Sequence, residues 1–149
     1  MKSLLHIAIA AGLLLGAGAA FAAEVTPVGT WKTIDDETGK PKSIVKITDE
    51  GGELKATVIE VLQSDEGPHP VCKACDGERK NKPIEGMNIM WGVHKDGDTI
   101  WDGGKILDPK TGKIYKVKLQ PSEDGSKLTV RGYIGFSLLG RSQEWQRQP

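Results

Sequence analysis

Turn signals recur at short intervals through most of this chain, and they constrain its fold more than any other feature. Asp35-Asp36-Glu37-Thr38-Gly39-Lys40, Asp49-Glu50-Gly51-Gly52, Asp96-Gly97-Asp98, Asp108-Pro109-Lys110-Thr111-Gly112 and Glu123-Asp124-Gly125-Ser126 each set glycine where a turn needs positive φ. Aspartate or proline starts each turn. The runs between are of strand length and rich in Val, Ile, Thr, Trp and Tyr. Eight strands are predicted, over 28–34, 42–48, 53–62, 86–94, 98–106, 113–120, 126–134 and 141–148. Alternation supports several of them: Leu54, Ala56 and Val58 share a face, as do Met87, Ile89, Trp91 and Val93. Tyr115, Val117 and Leu119 alternate with Ile114, Lys116 and Lys118. Leu128, Val130, Gly132 and Ile134 alternate with Lys127, Thr129, Arg131 and Tyr133. No segment from Ala23 onward has a 3.6-residue period. Short hairpins make the pairing antiparallel and sequential. The expected fold class is all-β, a single antiparallel up-and-down barrel of eight strands, with a two-sheet sandwich as its competitor. Gly86, Gly92, Gly103, Gly104 and Gly132 fall inside strands and permit the bends that closure requires.

The first residues read as a targeting leader. Lys2 supplies a positive start, Leu4 to Ala19 is an apolar run broken by His6, and Ala20-Phe21-Ala22 is a small-x-small cleavage pattern. The expected division is a removed signal peptide over 1–22 and one β-barrel domain over 23–149, exported to the periplasm of a Gram-negative-type bacterium. No cysteine follows the cut directly, so no lipid anchor is expected, and no later stretch is apolar enough for a spanning helix. About 127 residues remain, enough for one core. The chain carries 20 Lys and Arg against 20 Asp and Glu, and Lys2 alone of these lies in the leader. These charges are interspersed. Neither a basic stripe for nucleic acid nor a polybasic membrane patch is present in the sequence.

Two segments interrupt the meander. Residues 63–85 are longer than a hairpin needs, and such connections often serve as lids or binding elements. They contain Cys72-Lys73-Ala74-Cys75, the chain's two cysteines. In an exported protein the expectation is a disulfide that holds the loop in shape, adding about 2 kcal/mol for so small a ring. A redox dithiol competes with it, but that chemistry normally sits at a helix N-terminus. A zinc site built on His69, Cys72, Cys75 and Asp76 also competes, although an oxidised pair could not bind. Covalent haem attachment is discarded, because residue 76 is Asp rather than His. The second segment, Gly135-Phe136-Ser137-Leu138-Leu139-Gly140, is apolar and bracketed by glycine. It reads as a turn packed over the barrel end, with a partner-docking patch as the alternative if its side chains are exposed.

Gly29-Thr30-Trp31 on the first strand, with Arg141 and Arg147 on the last, matches the way lipocalin-type barrels seal one end. Either arginine would stack on the Trp31 indole. An eight-stranded barrel either holds one small ligand or is filled by its own side chains. Trp101, Tyr115 and Tyr133 are the candidate aromatic walls of a cavity, and Arg131 is the candidate partner for a ligand acid group. Asp96, Asp98 and Asp102 are read as turn chemistry rather than a calcium loop. The sequence lacks a nucleophile elbow, a His-Glu-x-x-His zinc motif and a phosphate loop, so no catalytic residue, metal or cofactor is expected.

The chain resembles a family of small exported bacterial proteins classed as domain of unknown function 2147. The resemblance rests on Gly29-Thr30-Trp31, on Cys72-x-x-Cys75 with Gly77, and on Asn81-x-Pro83-Ile84-x-Gly86. It continues through Trp101-x-Gly103-Gly104-x-Ile106-x-Asp108-Pro109 and Gly112-Lys113-x-Tyr115. It ends with Leu128-x-Val130-Arg131-Gly132-Tyr133-Ile134-Gly135 and Leu139-Gly140-Arg141-x-Gln143-x-Trp145. The resemblance implies a lipocalin-like, or calycin, barrel and export, and assigns no catalytic residue. By analogy of fold, the expected partner is a small apolar or amphipathic ligand. An envelope interaction module with a filled barrel is the alternative function.

Overall fold

In the computed structural model, residues 16–19 and 23–149 are described; the expected leader and cleavage pattern over 1–22 lie largely outside them. Eight strands form one closed antiparallel barrel in chain order: β1 (Gly29–Ile34), β2 (Pro41–Glu50), β3 (Glu53–Val61), β4 (Asn88–Lys95), β5 (Trp101–Leu107), β6 (Ile114–Pro121), β7 (Lys127–Tyr133) and β8 (Gly140–Arg147). Closure comes from β1 pairing with β8, with Trp31 opposite Arg147 and Lys32 opposite Gln146. The meander is therefore a barrel rather than a sandwich. Among the described residues no helix is long and apolar enough to cross a membrane.

An up-and-down order puts alternate connections at opposite ends. The β2–β3, β4–β5 and β6–β7 turns share one end with both ends of the barrel chain. The β1–β2, β3–β4, β5–β6 and β7–β8 connections share the other, which we call the rim. Inward residues fill the barrel: Trp31, Val45, Ile47, Leu54, Ala56, Met90, Val93, Val117, Leu119, Leu128 and Trp145 are all buried. Burial of this kind contributes about 1.5–3 kcal/mol for each large side chain, before the opposing loss of chain entropy.

Alternation fails in β4. Met87, Ile89 and Val93 are buried as the pattern predicts, but so is Met90, while Trp91 is only half-buried. Register shifts between β3 and β4 and a positive φ at Gly92 interrupt the pleat. Trp91 is thereby turned to the outer wall, where the Arg79 guanidinium covers its ring at 4.5 Å.

Candidate functional site

The end opposite the rim is sealed. Trp31 Nε1 donates to the Pro27 carbonyl at 2.8 Å. The Arg147 guanidinium lies 4.3 Å from the Trp31 ring centroid. It also donates to three carbonyls that converge on it: Gly125 at 2.6 Å, Val28 at 2.8 Å and Thr26 at 2.8 Å. Gly29 is needed beneath this fork, because its φ is +141° and a Cβ there would collide with Arg147. Arg141 is at the other end of β8, where its Nε lies 3.1 Å from Asp36. One strand thus carries one arginine to each end of the barrel, and Arg147 is the one that meets Trp31.

Arg141 ends a polar chain that runs out of the barrel. Trp145 Nε1 donates to Gln143 Oε1 at 3.3 Å, and the Gln143 amide donates to Asp36 at 3.0 Å. Below the rim the Thr33 and Ser43 hydroxyls meet at 2.7 Å. Hydrogen-bonded polar side chains therefore occupy the barrel mouth. Gln143 stands in the Arg141-x-Gln143-x-Trp145 motif, which carries no assigned role in the sequence, and Asp36 reads as one more turn acid.

The four candidate ligand residues do not converge. Trp101 is buried near the sealed end with Lys95 over its ring at 5.5 Å. Tyr115 shares the inward face with Val117 and Leu119. Tyr133 lies opposite Lys116, and Arg131 opposite Lys118, both on the outer face. Arg131 is also occupied: its guanidinium donates to the Ser137 carbonyl at 2.5 Å, to Ser142 Oγ at 3.0 Å and to the Leu138 carbonyl at 3.4 Å. It holds the β7–β8 loop instead of facing an interior ligand. The physical reason is strand parity, which sends Tyr115 and Tyr133 to opposite sides of the wall.

Two hollows lie off the barrel axis. One, of about 420 Å³, is in the β3–β4 connection beside Arg79, Glu85 and Asn88. The other, of about 330 Å³, is a groove on the outer wall, floored by Gly103 and Gly104 and bordered by Asp102, Lys105, Lys116 and Tyr133. Burial, and then the nearby Asp96 charge, raise the Asp102 pKa above the usual aspartate value, against the opposing pull of Lys118.

Cys72 and Cys75 are joined in a disulfide with their Cα atoms 5.4 Å apart. The bond sits in a small hairpin, with Val71 bridged to Pro83, the Cys72 N–H donating to Lys82, and the Asn81 N–H donating to Cys72. A three-residue 3-10 turn, Gly77–Arg79, follows. Both cysteines are buried. Cys72 Sγ lies 3.3 Å from the Pro109 carbonyl, and Gly112, with φ +71°, admits Ala74 so closely that a Cβ would overlap its carbonyl. The 63–85 connection is thus docked on the β5–β6 turn. Among the described residues no group of three or more His, Cys, Asp or Glu side chains is placed to hold a metal.

The β7–β8 loop is the most apolar exposed feature. Ile134, Phe136, Leu138 and Leu139 are 66%, 78%, 88% and 70% exposed. The loop stands at the rim instead of folding over it, with its backbone held by Arg131 and by Lys116 Nζ, 3.5 Å from the Gly135 carbonyl.

A closed, eight-stranded antiparallel meander with a tryptophan–arginine seal defines a lipocalin-type barrel. The chain belongs to a family described as an uncharacterized protein conserved in bacteria, domain of unknown function 2147, whose model matches residues 29–147. No curated protein matches the chain. Among solved structures it is similar to protein HP1028 from the human pathogen Helicobacter pylori, which belongs to the lipocalin family. The two are 21% identical, with a TM-score of 0.73 over 84% of each chain.

Proposed function

We propose that this protein is an exported, non-enzymatic envelope module that works at the rim of a barrel filled by its own side chains. Exposure of Phe136, Leu138 and Leu139 at the rim carries the reading, because soluble monomers rarely leave such a contiguous apolar patch uncovered. Export is supported by the leader pattern over 1–22 and by the disulfide, which persists in oxidising compartments. The filled interior weighs against a ligand enclosed along the axis.

A second reading keeps the small-ligand carrier. Its support is the lipocalin-like fold together with Tyr115, half-buried and directed inward near the rim. An amphipathic ligand would then sit at the mouth beside Tyr115, with Tyr133 and Arg131 on the far side of the wall.

Titration with the apolar-surface dye 1-anilinonaphthalene-8-sulfonate separates the two. Native protein should enhance the dye's fluorescence, and Phe136→Ser/Leu138→Ser should abolish most of that enhancement. Saturable one-to-one binding that survives the double substitution would place the apolar site inside the barrel and favour the carrier. Absence of enhancement in the native protein would refute the rim reading.

A further inference from the structure

We propose that the 134–139 loop seats the rim of the barrel on an anionic lipid surface. This rests on the rim reading above and names its partner.

The loop has the layered chemistry of a membrane interface. Its tip presents Ile134, Phe136, Leu138 and Leu139, all largely exposed. Its base is cationic, with Arg131, Lys116 and Arg141 at the adjoining strand ends. Asp36 offsets Arg141 through their ion pair, which leaves Arg131 and Lys116 as the stronger contributors. Between Asp124 and Glu144 the chain has no acidic residue. Ile114, also exposed, lies between Lys113 and Tyr115 at the start of β6. Apolar side chains reaching the acyl boundary, with cations at phosphate depth, are the pattern by which surface-bound proteins hold anionic bilayers.

Geometry favours lipid over a second protein. The patch is a single six-residue loop. A stable protein interface recruits about 20–30 residues a side, far more than one loop supplies. A fluid surface needs no matching pocket. Arg131 keeps the tip extended by holding the Ser137 and Leu138 carbonyls, so little ordering is required on insertion.

The test is co-sedimentation of the 23–149 chain, without its apolar leader, with vesicles of phosphatidylcholine alone or mixed with phosphatidylglycerol. This segment contains the whole barrel and its core. Expected is binding to the mixed vesicles that falls several-fold in neutral vesicles and at high salt. Phe136→Ser/Leu138→Ser should weaken it at least about a hundredfold, and Lys116→Gln about fivefold. Since these side chains lie outside the core, near-ultraviolet circular dichroism should match the native protein in both variants. Binding unchanged by the double substitution would overturn the proposal, as would no binding to mixed vesicles. If the dye test above succeeds while vesicles fail, the rim reading stands and lipid is the wrong partner. A dimer on sizing that the double substitution dissolves would make the partner a second copy.

Discussion

Arg147→Ala should be the costliest single surface-facing substitution in this barrel. The side chain donates to the Gly125, Val28 and Thr26 carbonyls and lies over the Trp31 indole. Each hydrogen bond contributes about 0.5–1 kcal/mol where water can partly replace it. The cation–π contact adds about 1 kcal/mol at a half-exposed site. Part of this overlaps with packing of the arginine stem, so a total near 3 kcal/mol is reasonable. Urea unfolding, followed by tryptophan fluorescence on the oxidised protein, reads this directly. With a slope of about 2 kcal/mol per molar, the midpoint should fall by about 1.5 M. Arg147→Lys keeps the charge but not the planar fork, and should recover about half of the loss. The control is Arg141→Ala. Its ion pair with Asp36 is largely exposed on the arginine side, and such pairs contribute about 0–1 kcal/mol. Equal midpoint shifts for the two alanine variants would refute the claim that Arg147 is the seal. A shift below about 0.5 M for Arg147→Ala would refute the magnitude.

Three other perturbations test separate parts of the fold. Cys72→Ser/Cys75→Ser should lower stability by about 2 kcal/mol or less, and limited proteolysis should then cut within 63–85 first. Gly112→Ala should loosen the same connection, because a Cβ at φ +71° would overlap the Ala74 carbonyl; the expected readout is faster amide exchange over 70–84, with the far barrel wall unchanged. Asp124 accepts hydrogen bonds from the Ser126 N–H and the Ser122 and Ser126 hydroxyls, which lower its pKa to about 2. An acid whose folded pKa is depressed contributes stability above its unfolded value of about 3.9 and loses it as pH falls toward the folded value. Asp124→Asn should therefore lower the urea midpoint at pH 7, and its difference from the native protein should close as pH falls from about 4 to 2.

The barrel was legible because two signals agree along most of the chain. Turn residues bound each run, and period-two alternation assigns its faces. The predicted strand 113–120 is observed as Ile114–Pro121, and 126–134 as Lys127–Tyr133. The start of β5 shifted from 98 to Trp101, because the Asp96 N–H and the Ile100 carbonyl close a wider turn. Trp91 was not legible, since the Gly92 irregularity reverses parity where the sequence alone suggests continuity. Tyr115 and Tyr133 are instructive in the opposite way. The alternation already grouped Tyr115 with Val117 and Leu119, and Tyr133 with Lys127, Thr129 and Arg131. Strand parity, not aromatic character, decides which side of the wall each ring takes. Arg141 and Arg147 share parity on β8, so alternation cannot choose between them. The antiparallel pairing of β1 with β8 makes that choice by setting Arg147 opposite Trp31, and the path of residues 24–28 across that end completes the seal.

That path also separates what holds the barrel from what it presents. At the sealed end, the N-terminal segment, the β6–β7 turn and the end of β8 all converge on Arg147, and the groups there satisfy one another. At the rim, Arg131 spends its guanidinium on holding carbonyls of a loop whose own side chains touch little. A loop that served only to connect β7 and β8 could be shorter and polar, since antiparallel neighbours need only about 2–5 residues. Large apolar side chains displayed at such a site cost solubility with no return in packing. Stability and surface activity should thus dissociate. Loss of Arg147 should destabilise the fold while leaving lipid affinity per folded molecule unchanged. Loss of Phe136 and Leu138 should remove affinity while leaving the unfolding midpoint unchanged. If the two losses instead moved together, the loop would belong to the core, and the division between a structural end and a working end would be wrong.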